Sequence, residues 1–231
     1  MTDQSKIFCA IDTADLDYAC ELVAQIAPVT GGIKLGLEFF NNFGPQGIDR
    51  VLKSCPQAQL FIDLKFHDIP NTVAGAVRGI CSNFAPAYLN VHASGGMEMM
   101  AAAKEACGAD TKLLAVTILT SLDASAIAEI GYGNTDVGAQ VEQLARLAQK
   151  SGLDGVVCSA HEISRLRNVC GDDFTLMVPG IRPVGSAQGD QKRVMTPIDA
   201  LNAGATHLVI GRPITGATDP AKAAAEILKG L

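Results

Sequence analysis

The segment Leu60-Phe61-Ile62-Asp63-Leu64-Lys65-Phe66-His67-Asp68-Ile69-Pro70-Asn71-Thr72 begins as an apolar run suited to a buried strand and ends in Asp, Lys and Asp. Successive side chains of a strand point to opposite faces, so Asp63 and Lys65 share one face. An acid and an amine buried together are costly unless they pair closely, with each other and with further charge. At the end of a strand they mark a candidate catalytic site.

Outward from this segment, short apolar, β-branched runs alternate with longer segments of helical period. The expected strands are Ile7 to Ile11, Gly32 to Leu35, Leu60 to Leu64, Tyr88 to Val91, Leu113 to Ile118, Gly155 to Cys158, Thr175 to Val178 and His207 to Ile210. Between them lie helical patterns at Leu16 to Ala27, Phe43 to Lys53, Thr72 to Phe84, Met97 to Ala106, Val137 to Ser151, His161 to Val169, Pro197 to Ala203 and Pro220 to Leu228. Asp15, Asn71 and Asp219-Pro220 supply helix-start signals. About eight strand–helix units predict an α/β fold of the (β/α)8 TIM-barrel type, one catalytic domain over residues 1–231. A doubly wound open sheet is the competing fold, but it uses fewer strands.

The 231 residues suffice for a full core, and 48% hydrophobic with 18% charged residues is the balance of a globular protein. A net charge of −6 argues against binding a nucleic-acid backbone, while leaving room for a small anion held by a few local cations. No segment has the roughly 20 uninterrupted apolar residues of a membrane span, and Met1 to Lys6 lacks the apolar stretch of a secretory signal. The expected location is the cytoplasm. Seven cysteines without a Cys-x-x-Cys pair fit reduced thiols used as small core residues, with Cys158, at an expected strand end, the only one placed near a site.

Barrels of this type carry their functional groups at the C-terminal ends of the strands. Those ends read Asp12; Lys34; Asp63 with Lys65; His92; Thr120 with Ser121; Ser159; Pro179-Gly180-Ile181-Arg182; and Gly211-Arg212. Lys34, Asp63, Lys65 and Asp68 alternate in sign, a set able to stay ionised in a dry pocket because each charge has opposite neighbours. Arg182, Gly211 and Arg212 follow the last two strands, where backbone N–H groups and a helix start commonly hold phosphate. Pro179 to Arg193 is long, polar and glycine-rich, reading as a binding loop or lid, with a mobile connection as the alternative. Gln191 near its far end would reach the same anion on closure, or is a solvated loop glutamine. His67 and Asp68 are neighbours on opposite faces and lack a partner at ligand spacing, so no metal site is expected.

The run Asp63-Leu64-Lys65-Phe66-His67-Asp68-Ile69-Pro70-Asn71-Thr72 resembles the active-site motif of the orotidine 5′-phosphate decarboxylase family, in its bacterial group. Ala10-Ile11-Asp12, Ile33-Lys34-Leu35-Gly36, Leu119-Thr120-Ser121-Leu122, Pro179-Gly180-Ile181-Arg182-Pro183, Asp190-Gln191-Lys192-Arg193 and Ile210-Gly211-Arg212 follow in the family's order. The resemblance implies decarboxylation of orotidine 5′-phosphate to UMP, the last step of UMP synthesis, without cofactor or metal. It implies that Asp12 and Lys34 bind the ribose hydroxyls, with Lys34 also in the charge network. Asp63 would lie against the substrate carboxylate, and Lys65 would protonate the ring carbon. Thr120 would contact the pyrimidine with Ser121 and Pro179 beside the substrate, and Arg182, Gln191, Gly211 and Arg212 would hold the phosphate. Asp68 and Thr72 would reach into a neighbouring subunit's site, making the functional unit a homodimer.

Two other readings remain. Metal-dependent sugar-phosphate enzymes share a similar Asp-x-Lys-x-x-Asp run but place a metal-binding acid where this chain has Lys34, a cation that repels a divalent metal. A catalytically silent phosphate-ligand sensor would have little reason to keep costly buried charges at Asp63, Lys65 and Asp68.

Overall fold

The computed structural model describes residues 6–183 and 195–231. Eight parallel strands close into a barrel in chain order, β1 through β8, with β8 paired back onto β1. They are β1 (Ile7–Ala10), β2 (Gly31–Gly36), β3 (Gln59–Phe66), β4 (Tyr88–His92), β5 (Lys112–Val116), β6 (Gly155–Val157), β7 (Thr175–Val178) and β8 (His207–Ile210). The helices are α1 (Leu16–Thr30), α2 (Leu37–Ser54), α3 (Pro70–Phe84), α4 (Gly96–Ala106), α5 (Ala124–Glu129), α6 (Val137–Lys150), α7 (Ile163–Cys170), α8 (Pro197–Asn202), α9 (Arg212–Thr215) and α10 (Pro220–Lys229). The (β/α)8 barrel expected from the alternating pattern is the fold observed. Among the described residues no helix is long and apolar enough to cross a membrane.

Helix boundaries follow local chemistry. Asp15, Asp136 and Asp219 cap α1, α6 and α10, each carboxylate accepting a backbone N–H three residues on, at 3.1, 3.1 and 2.9 Å. α2 begins at Leu37, well before the expected Phe43, and is broken at Gly44, whose φ of 58° no helix interior permits. α3 starts at Pro70 rather than behind Asn71, because proline's fixed φ suits the first helical position. The short helices α5 and α9 were not expected from helical period, being too brief to show one.

Alternation along each strand sorts the core into two. Ile7, Cys9, Ile33, Leu60, Ile62, Leu89 and Leu113 face outward and pack beneath the helices. Phe8, Ala10, Phe61, Tyr88, Leu114, Met177 and Val209 form a separate cluster inside the barrel. Near the strands' N-terminal ends this inner cluster becomes a floor. Phe8 meets Tyr88 edge to face at 5.3 Å, and the His207 ring lies 5.1 Å from Tyr88. The Tyr88 hydroxyl and His207 Nε2 are 3.3 Å apart, so both polar tips share a hydrogen bond. Below this, Arg167 of α7 donates to the carbonyls of Gly171, Phe174 and Gly204 at 2.9, 2.6 and 2.7 Å, tying down the turns that enter β7 and β8.

The seven cysteines are free, five of them buried, as expected for core thiols. Burial, with Asp12 adding to it, pushes the Cys9 thiol up to about 12, which keeps it inert.

The wall leaves no room for a side chain at Gly155, between β6 and β7. A Cβ placed on Gly155 would stand 2.2 Å from the Thr175 carbonyl oxygen and 2.5 Å from Thr175 Cβ. Overpacking of this kind costs about 1–3 kcal/mol. Gly155→Ala is therefore expected to melt several degrees below wild type when followed by circular dichroism. An unchanged midpoint would show that the two strands part freely.

Candidate active site

Acidic and basic side chains gather on the barrel's inner face toward the C-terminal ends of the strands. β1 leads through Phe8 and Ala10 to Asp12, β2 from Gly32 to Lys34, β3 from Phe61 to Asp63 and Lys65, and β4 from Tyr88 to Asn90. Lys34 and Asp63 are almost wholly buried and the Lys65 side chain is about a quarter exposed.

The charges form a chain. Lys34 Nζ lies 3.4 Å from Asp12 Oδ1 and 3.3 Å from Asp63 Oδ2, and Lys65 Nζ donates to Asp63 Oδ1 at 2.6 Å. Burial pushes the Asp63 carboxyl up, but the ammoniums of Lys34 and Lys65, with hydrogen bonds from Lys65 and Asn90, outweigh it and hold the group below the ordinary carboxylate range. Burial likewise pulls Lys34 down, and Asp63 and then Asp12 overcome it, leaving Lys34 above its ordinary value. His92 at the end of β4 is lowered, first by burial and then by His67 and Lys65, so its ring is neutral near pH 7.

β3 is irregular where these residues stand. Ile62 pairs with Leu89 and Phe66 with Val91, so Asp63, Leu64 and Lys65 face the single residue Asn90. Lys65 takes a φ of 51°, a left-handed conformation that costs a non-glycine residue roughly 1–2 kcal/mol. The Asn90 carboxamide fills the gap in the ladder: its oxygen accepts Lys65 N–H at 2.8 Å and its nitrogen donates to Asp63 Oδ1 at 2.7 Å.

A cavity of about 190 Å³ opens against Lys34, Asp63 and Lys65. Its remaining walls are mostly apolar, from Phe61, Val116, Ile118, Val157, Cys158 and Val209, with Thr120 and Pro179 at the rim. Burial, then Glu162, raises the Cys158 thiol, so it is a wall and not a nucleophile. A groove of about 460 Å³ elsewhere is lined, among the described residues, by α6 side chains such as Glu142 and Arg146, which form no comparable buried charge cluster.

The structure thus gathers Asp12, Lys34, Asp63 and Lys65, with Thr120 and Pro179 on the same cavity. Asp68 stands apart from that set within one chain: it is exposed, and its carboxylate accepts the next backbone N–H, of Ile69, at 2.6 Å. Thr72 is exposed on the first turn of α3, and Ser121 is exposed and not on the cavity wall. Arg182 is partly buried beside the bridge from Ile181 to Met195, and Gly211 and Arg212 lie at the β8–α9 junction. Gln191 and the rest of 184–194 lie outside the described residues.

Sequence reasoning missed Asn90 and Gly36. Asn90 carried a signal, an amide in the middle of the buried run Tyr88-Leu89-Asn90-Val91-His92. Gly36 closes the run Ile33-Lys34-Leu35-Gly36, but its role was hidden, since only the coordinates show that a Cβ there would stand 3.0 Å from Lys34 Nζ.

Among the described residues, no three His, Cys, Asp or Glu side chains gather as a metal ion would require. The sequence pattern of the Orotidine 5'-phosphate decarboxylase / HUMPS family matches residues 5–227. The chain is 52% identical to the orotidine 5'-phosphate decarboxylase of Rhodospirillum rubrum, over 96% of this chain and 92% of that one. The crystal structure of orotidine 5'-phosphate decarboxylase from Lactobacillus acidophilus superposes with a TM-score of 0.85 at 34% identity, covering 98% of both chains. That of Methanocaldococcus jannaschii, at 20% identity and a TM-score of 0.78 over 97% of each chain, shares the fold. With its barrel, its ordered strand-end motifs and these relatives in agreement, the chain belongs to the orotidine 5′-phosphate decarboxylase / HUMPS family.

Proposed function

We propose that this chain, a single catalytic barrel of the cytoplasm, decarboxylates orotidine 5′-phosphate to UMP and carbon dioxide using its own side chains alone. The observation that carries the reading is the Lys65 ammonium, fixed 2.6 Å from Asp63 on the wall of an otherwise apolar cavity. The 190 Å³ cavity suits the pyrimidine, leaving ribose and phosphate in the open mouth. Asp12 and Lys34 take the ribose hydroxyls, Thr120 the base, and Arg182, Gln191, Gly211 and Arg212 the phosphate.

In the reaction the bond from the ring carbon to its carboxylate breaks, carbon dioxide leaves, and the electron pair stays on the ring carbon. No neighbouring carbonyl delocalises that pair, so a fixed cation must stabilise it. Lys65 is that cation, and it gives the carbon a proton, regaining one from water after product leaves. The low-dielectric walls strengthen the attraction, and binding of the distant phosphate offsets the cost of bringing a second carboxylate toward Asp63.

The active unit in this reading is a homodimer. Leu37, Ile69 and Met97 are large apolar side chains 48, 66 and 48% exposed at the starts of α2, α3 and α4. A second copy covering that rim would carry Asp68 and Thr72 toward the neighbouring site.

Lys65→Ala should fold normally and lose turnover of orotidine 5′-phosphate, followed by its ultraviolet absorbance; near-normal activity would remove the mechanism. Wild-type activity should survive EDTA, whereas loss on chelation and recovery with Mg²⁺ would favour a metal-dependent sugar-phosphate enzyme. Equal amounts of Lys65→Ala and Asp68→Ala, unfolded and refolded together, should recover about a quarter of wild-type activity, because mixed dimers have one intact site. No recovery would place Asp68 in its own subunit's site.

Asp63 also sets a pH dependence. Its folded pKa is depressed, so its contribution to stability is complete above the ordinary value of about 3.9 and is lost as pH falls through the lower folded value. Asp63→Asn breaks a buried pair, for a loss of roughly 3 kcal/mol at pH 7. The difference in melting temperature between this variant and wild type should narrow below about pH 4. A difference constant down to pH 2.5 would show that Asp63 is not an ionised partner.

A further inference from the structure

We infer that Asn90 is a positioning residue of the reaction, its one carboxamide setting both the backbone of Lys65 and the carboxylate of Asp63. This role rests on the decarboxylase reading above and adds to it a residue that touches no substrate.

Asn90 is fully buried, and it is not among the residues walling the cavity. Both ends of its side chain are used: Oδ1 accepts Lys65 N–H at 2.8 Å and Nδ2 donates to Asp63 Oδ1 at 2.7 Å. An amide has one accepting and one donating end, so these two bonds fix its orientation and leave neither partner free to turn. The backbone ladder cannot do this work, because three residues of β3 stand opposite one of β4. Lys65 meanwhile sits at a φ of 51°, which a lysine holds only when its surroundings over-determine it.

The consequence falls on one oxygen. Asp63 Oδ1 receives both Lys65 Nζ and Asn90 Nδ2, while Oδ2 faces Lys34. Without Asn90 the carboxylate loses its one neutral donor and is held by the two flexible ammoniums alone, and Lys65 N–H loses its acceptor. The ammonium then no longer stands at a fixed distance from the reacting carbon. Charged and titratable groups around Asp63 are Lys34 from β2, Lys65 on its own strand, His92 from β4 and, through Lys34, Asp12 beyond β1.

The test begins with steady-state turnover of orotidine 5′-phosphate by wild type, Asn90→Ala and Asn90→Asp across pH 3.5–9, with UMP affinity by calorimetry. Asn90→Asp has the same shape and keeps the acceptor for Lys65 N–H, but it replaces the donor to Asp63 with an oxygen. Expected are a fall in kcat of at least tenfold for Asn90→Ala, toward the ~100-fold that an ångström of misplacement costs. KM and UMP affinity should stay within about threefold of wild type, because the nucleotide contacts are intact. The acid limb of kcat/KM should move to higher pH in both variants, since Asp63 loses a donor that favours its charge. That shift is a readout that lost packing alone would not produce. An active wild type with kcat and acid limb unmoved in the variants would overturn the role of Asn90 and leave the function standing. An inactive wild type would overturn the function, and this role with it. Should Asn90→Ala fail to fold, Asn90→Asp decides the matter by the same two readouts.

Discussion

One carboxylate, that of Asp63, holds the mouth of this barrel together. Removing a carboxylate and two ammoniums from water costs several kcal/mol per ion even after relaxation. The arrangement persists because each charge is answered: Asp63 has Lys34 on one oxygen and Lys65 with Asn90 on the other, and Lys34 has Asp12 in turn. The alternation of sign keeps the buried Lys34 and Asp63 ionised where burial alone would discharge them. The partners come from the adjacent ends of β1, β2, β3 and β4, which the chain-order barrel sets side by side.

A cation held in advance of the reaction is worth more than one that must move into place, because its reorganisation has been met during folding. Here folding meets it through an irregular stretch of β3 and a left-handed lysine, features that lower stability locally. The apolar walls from Phe61, Val116, Ile118 and Val157 face the ammonium with low-dielectric surface, which strengthens its field in the cavity. Gly36 contributes by lacking a side chain, since a methyl there would press on Lys34 Nζ.

Much of this was legible in the chain. Eight short β-branched runs alternating with helical period gave the barrel, and polar residues at the run ends pointed to Asp12, Lys34, Asp63, Lys65 and Thr120. What escaped depended on register and space. Nothing in Leu60 to Phe66 announces that two residues drop out of step with β4, so Asn90 looked like one more buried position. Asp68 shares the sign and spacing of Asp63 and Lys65 but is exposed within one chain, where its carboxylate accepts the Ile69 N–H, and sign and spacing alone do not say which subunit's site it serves. The early break of α2 at Gly44 likewise hid its first turns from helical period.

The aromatic floor of Phe8, Phe61, Tyr88 and His207 makes the barrel a cup rather than a tube. Whatever reaches the ammonium must come over the rim, and whatever is made there must leave the same way. Under the proposed chemistry a small gas and a bulky nucleotide share one doorway, so the gas must either slip past its larger companion or wait behind it.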